Sequence, residues 1–200
     1  MKNIVNTILR FLESFRRPSK AGNLRKLRER GETIDSFNIR EVTVADLAAL
    51  TALHVQAWNE TYWNVQHKPS HEIREQQWSR TFTIRDGSWF CFVIEDHAGK
   101  LVGFVKGSRY ASEDLPDFSG ELKHIYLLQD YQRLGLGSLL MEYAAERFIS
   151  MGINSMVLFS TPQNPSCLFY DAVGGEKLYA KNGEFHGGYG WRDLPALLRD

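Results

Sequence analysis

The chain has 200 residues, 43% hydrophobic, 12% aromatic and 24% charged, which excludes a disordered, collagenous or disulfide-framework protein and fits one compact core plus an appendage. Twenty-four basic and 24 acidic residues cancel to a formal net charge of zero, so no global field argues for a nucleic-acid partner. The balance conceals an asymmetry: residues 1–31 hold nine Lys or Arg against Glu13 and Glu29, a net of +7, which leaves −7 on residues 32–200.

From Met1 to Arg17 there is no Pro or Gly, and Ile4, Ile8, Leu12 and Phe15 recur every three or four residues, the pattern of a basic amphipathic helix. Arg16, Arg17 and Pro18 end it, and the polar stretch from Ser19 to Ser36 follows as a linker or a short second helix. Residues 1–33 therefore form an N-terminal arm and residues 34–200 the main domain. The apolar stripe of residues 1–17 leaves several readings open: docking on its own domain, on a second copy in a homodimer, on a partner protein or on the surface of an anionic membrane, or a disordered extension. No stretch is apolar for long enough to cross a membrane, and Arg10 and Glu13 interrupt the segment where a signal peptide needs continuity. Cys91 and Cys167 each lie in an apolar run, which implies reduced thiols and a soluble cytoplasmic protein.

In the domain, Phe37–Val42 is expected as a strand, followed by a helix capped at Thr43 with Leu47, Leu50, Leu53, His54 and Ala57 on related faces, and a second helix from Ser70 to Phe82. Two β-rich runs, Trp89–Glu95 and Lys100–Tyr110, flank the turn Asp96-His97-Ala98-Gly99 and should pair as a hairpin. Glu121–Leu128 is a further strand, Gly135–Ser150 a helix closed by Gly152, Met156–Phe159 a short strand, and Asn164–Val173 a helix closed by Gly174-Gly175. Strands over 176–180 and 184–191 complete a mixed α/β sheet covered on both sides.

The most informative stretch couples the Glu121–Leu128 strand to the following helix through Gln132-Arg133-Leu134-Gly135-Leu136-Gly137-Ser138. Glycines there let backbone approach a ligand, and the free N–H groups of the helix start attract an anion such as a pyrophosphate, with Arg133 as added positive charge. The spacing is neither Gly-x-Gly-x-x-Gly nor a P-loop. It resembles the Gln/Arg-x-x-Gly-x-Gly/Ala signature of the GNAT superfamily of acyl-CoA-dependent N-acyltransferases. The resemblance extends to Ile125-Tyr126-Leu127-Leu128 before the signature and to Asn164-Pro-Ser-Cys-Leu-Phe-Tyr170 after it, and covers about residues 34–198.

That resemblance implies a mostly antiparallel sheet with helices on both faces and two splayed central strands that take acetyl-CoA between them as co-substrate. It implies that the backbone of Ile125, Tyr126 and Leu127 bonds the pantetheine arm, that residues Gln132 to Ser138 hold the pyrophosphate, and that Asn164 contacts the cofactor. Acyl transfer needs a base, an oxyanion donor and an acid for the departing thiolate. Glu121 is the first candidate for the base. Strand alternation places it with Lys123, Ile125 and Leu127, and places His124, the second candidate, opposite with Leu122 and Tyr126 unless a bulge intervenes. The resemblance gives Tyr170 the role of acid and the N–H of Leu127 or Leu128 that of oxyanion donor. Trp58, Glu60, Tyr62 and Trp63 cluster where an amine acceptor is expected, since aromatic faces with a carboxylate suit a cation. His67 and His71 straddle Pro69 and lack a third ligand, so no metal is expected. The reading is direct transfer of an acetyl group to a primary amine of a small molecule or protein; the alternative is a non-catalytic acyl-CoA-binding module tethered or regulated through the arm.

Overall fold

A computed structural model describes residues 19–198 apart from Asn64 and His67. The amphipathic stretch 1–17 and one histidine of the His67–His71 pair thus lie outside the described residues. The arm's second half is a helix, α1 (Lys20–Glu29), whose N-cap Ser19 accepts from Gly22 N at 3.1 Å. It is docked on the domain, with Leu27 only 1% exposed.

Then come β1 (Asn38–Glu41), α2 (Leu47–Thr61), α3 (His71–Thr83), β2 (Trp89–Glu95), β3 (Leu101–Arg109), β4 (Gly120–Leu127), α4 (Leu136–Ser150), β5 (Met156–Phe159), α5 (Cys167–Ala172), β6 (Glu176–Tyr179) and β7 (Phe185–Trp191). The seven strands form one sheet in the order β1-β2-β3-β4-β5-β7-β6. Every neighbouring pair is antiparallel except β4 and β5. The mixed, mostly antiparallel sheet inferred from the sequence is the one observed.

Helices cover both faces for the reason the periodicity gives. On one side Phe148 of α4 packs edge-on against Phe90 of β2 at 4.9 Å between ring centroids; on the other, Trp78 of α3 meets Phe104 of β3 at 5.6 Å. Two helix starts differ from expectation through local hydrogen bonding. Thr43 opens a 3-10 turn at Val44–Asp46 before α2, because the Asp46 carboxylate accepts from Thr43 N at 2.8 Å and holds Arg40. α5 starts at Cys167 rather than at Asn164, because the Asn164 side chain accepts from Ser166 N at 2.9 Å and forms a turn ahead of the helix.

Candidate active site

β4 and β5 pair at two positions, Gly120↔Met156 and Glu121↔Val157. Past Glu121 they part, and among the described residues the β4 edge from Leu122 to Leu127 has no strand partner on the β5 side. Leu128 donates its N–H to Val102 O on β3 at 3.0 Å. Peptide groups alternate sides along a strand, so Ile125 and Leu127 turn their N–H groups to the open side, whereas Tyr126 turns its own toward β3. Of the two oxyanion donors expected, Leu128 is spent within the sheet and Leu127 is the one that faces the opening.

The chain leaves that edge through a 3-10 turn at Gln129–Tyr131 and enters α4 at Leu136. Arg133 has φ +63° and Gly135, the N-cap, φ +88°. No side chain caps the helix, so its first N–H groups are left for a ligand. The seven signature residues divide their work. Leu134 and Leu136 bury their side chains at 5% and 0% exposure and can offer only backbone. Gln132 Nε2 donates to Leu127 O at 2.9 Å, tying the turn to the strand. Arg133 and Ser138 are exposed. At Gly137 a Cβ would stand 3.2 Å from the Phe169 ring, so glycine lets α5 close on the helix start. From behind, Asn23 of α1 donates through one amide nitrogen to Gln129 O and Gln132 O, both at 2.8 Å, and Lys26 pairs with Asp130. Nothing in the local sequence signalled that Asn23 braces this turn.

Glu121 lies at the fork itself, opposite Val157, with its side chain 17% exposed and paired with Lys123. Simple alternation fails here. The β3–β4 register slips between Lys106, opposite His124, and Gly107, opposite Leu122, which makes Lys123 an extra residue in a bulge. Ser108 and Lys106 sit two apart on a regularly paired stretch of β3 and share a face; their partners Glu121 and His124 therefore share one too. Glu121 no longer lies with Ile125 and Leu127. His124 also departs from the ordinary imidazole assumed for it. Burial, with Lys106, Arg74 and Lys123 nearby, pushes its pKa down to about 3, leaving it neutral but a feeble proton acceptor.

Tyr170 of α5 is 4% exposed. Burial, and then the neighbouring Tyr62 and Tyr126 phenols, raise its pKa well above the usual range, so it keeps its proton to give. α5 has a single buried face, and β7 secures it: Tyr189 Oη donates to Asp171 Oδ1 at 3.1 Å and Trp191 Nε1 to Val173 O at 2.9 Å. The Tyr189-Gly-Trp191 stretch thus anchors α5 to the sheet. The Asn164 amide is engaged within the protein, donating to Tyr62 Oη at 2.9 Å and Ser160 Oγ at 2.6 Å.

The acceptor cluster divides. Trp58 of α2 and Tyr62, which caps its C-terminus, lie 5.0 Å apart between ring centroids and tilted by 38°. Glu60 lies on the other side of the helix, where its carboxylate accepts from Gln129 N at 2.7 Å and Gln56 Nε2 at 2.8 Å. A position two residues on is turned by about 200° around a helix, so Glu60 clamps α2 to the post-β4 turn instead of facing a cation. Trp63 is 42% exposed. The wall facing β4 is built from residues that were not singled out: His54 of α2 and Arg74 and Trp78 of α3. Trp78 Nε1 donates to His54 Nδ1 at 3.2 Å, and the His54 and His124 rings lie 4.9 Å apart. The four-residue spacing of Arg74 and Trp78, matching that of His54 and Trp58, was the available signal.

Residues 50–174 match the model of the Acetyltransferase (GNAT) family. Over 170 residues the chain is 31% identical to an uncharacterized N-acetyltransferase, YuaI, of Bacillus subtilis (strain 168), covering 80% of this chain and 95% of that protein. It is 25% identical over 167 residues to a phosphinothricin N-acetyltransferase of Streptomyces viridochromogenes, covering 81% of this chain and 86% of the relative. In fold it is similar to PaiA N-acetyltransferase from Thermoplasma acidophilum, solved in complex with coenzyme A, with a TM-score of 0.62 at 19% identity over 78% of this chain and 98% of that one.

Proposed function

The chain belongs to the acetyltransferase (GNAT) family and is an acyl-CoA-dependent N-acyltransferase, and from that premise we propose that it moves an acetyl group from acetyl-CoA directly to a primary amine. The observation that carries the reading is the continuity of the open β4 edge with the uncapped start of α4. A diphosphate on the N–H groups of residues 136–138 leaves its pantetheine arm running along Ile125 and Leu127 to the fork at Glu121. The relative named for phosphinothricin N-acetylation supports nitrogen as the acceptor atom.

In this reading Glu121, directly or through water, takes a proton from the acceptor ammonium, and the freed nitrogen attacks the thioester carbon. The N–C bond forms while Leu127 N–H stabilises the oxyanion. The C–S bond then breaks, the thiolate takes the Tyr170 phenol proton, and the surplus proton on the new amide nitrogen returns to the tyrosinate through water. Glu121 is preferred over His124 because burial and three cations weaken the imidazole as a base.

The test is release of free thiol from acetyl-CoA against a panel of amines. Tyr170→Phe is expected to lower kcat by about 100-fold, within the usual span of general acid catalysis, while the KM for acetyl-CoA stays within a factor of three, an order-of-magnitude allowance. Unchanged turnover in that variant removes Tyr170 from the chemistry, and saturable CoA binding without thiol release on any amine removes the enzymatic reading.

A further inference from the structure

The wall opposite β4 presents positive charge and free donors. Arg74 and Trp78 share a face of α3, and Trp78 packs on His54, His124 and Phe104, which directs that face at β4. The Arg74 guanidinium acts electrostatically on His54, His124 and Tyr126. Its Nη1 donates to Gln77 Oε1 at 2.8 Å, whereas its Nε is buried with no hydrogen-bond partner. The acidic neighbours on its own helix are occupied: Glu75 pairs with His71 at 3.9 Å, and Glu72 bonds Ser70.

Lys106, on the same side of the sheet, bonds Thr81 Oγ1 at 3.0 Å and lies over Trp78 at 4.9 Å. Among the described residues no carboxylate forms an ion pair with either cation. His54 adds a third donor. Because its Nδ1 accepts from Trp78, its proton is on Nε2, which is buried and unpartnered. Glu121, on this face of β4, is already held by Lys123. A partly buried guanidinium without a counter-ion is unfavourable unless something else supplies the negative charge. A planar fork of donors suits a carboxylate or another oxyanion.

We infer that the acceptor is a small amine that also carries a carboxylate or similar oxyanion, bound by Arg74 with the His54 Nε2–H beside it, and that polyamines are excluded. This rests on the amine-acceptor reading above.

The experiment measures thiol release from acetyl-CoA with the twenty standard L-amino acids, their carboxamides, and spermidine, using wild type, Arg74→Gln and Arg74→Lys, each checked for an unchanged melting temperature. The best amino acid is expected to exceed its carboxamide in kcat/KM by about 100-fold, as a site built for a polar group rejects the analogue lacking it. R74Q should abolish that preference, lowering kcat/KM on the amino acid far more than on its carboxamide, and R74K should restore part of it. Equal turnover of acid and carboxamide, preference for spermidine, or an equal loss on both substrates in R74Q overturns the inference and leaves the acetyltransferase reading intact. If no amine releases thiol, that reading fails instead. Calorimetry with the amino acids in the presence of coenzyme A then decides for Arg74: binding lost in R74Q supports it, and no binding to wild type refutes it.

Discussion

Replacing Asn23 by Ala removes a nitrogen that donates to Gln129 O and Gln132 O, two carbonyls bracketing the turn into α4. Asn23 is 3% exposed, so water does not freely replace it. Gln129 O keeps the Gln132 N–H at 3.3 Å; Gln132 O keeps no other protein donor among those described. Two lost bonds and one carbonyl left poorly satisfied cost about 2–3 kcal/mol. In a domain of this size that lowers the melting temperature by about 5–10 °C, at roughly 2–4 °C per kcal/mol. Asn23→Asp should be worse than N23A, because it turns a carboxylate oxygen toward two carbonyls. Both should raise the KM for acetyl-CoA with little change in kcat, since the turn positions the helix start and takes no part in bond breaking. Thermal melts and saturation kinetics on the full chain give both readouts. Melting within 1 °C of wild type in N23A, or N23D as stable as N23A, refutes the brace, the 1 °C limit being roughly the resolution such a comparison needs.

Acid stability follows from His54 and His124, whose folded pKa values are lowered to about 2 and about 3 by burial. Both are depressed below the unfolded value of about 6.5, so their contribution is full above that pH and is lost as pH falls toward the folded values, at up to about 1.4 kcal/mol per pH unit for each. A His124→Asn variant should therefore show a shallower loss of stability between pH 6.5 and 3 in denaturant titrations; an unchanged slope rejects the buried neutral imidazole. Gly135→Ala meets no atom within 4 Å but must adopt φ +88°, costing about 1–2 kcal/mol, and Gly135→Asn should cost less because Asn tolerates that region. Equal melting temperatures for the two variants would show that conformation is not what glycine provides there.

The alternation of apolar residues was enough to locate the strands and helices of the domain, because burying one face of each element leaves a periodic trace that is local in sequence. The Gly135 turn was legible for the same reason: a positive φ at a helix start restricts the residue type. The resemblance carried by Asn164 to Tyr170 pointed to a phenol on the short helix that follows β5. Three things lay beyond a one-dimensional reading. The bulge at Lys123 arises from pairing with β3, and it alone puts Glu121 and His124 on one face. The depressed pKa of His124 depends on burial, and then on Lys106 and Arg74, which β3 and α3 bring to it. The brace from Asn23 spans more than a hundred residues to reach Gln129 and Gln132. Glu60, which looked like a cation ligand among three aromatic residues, became a clamp once the helix turned it away from Trp58 and Tyr62. Periodicity encodes which face of an element is buried; the charge, register and partners of a side chain depend on what other elements bring to it, and that is fixed only when the chain has packed.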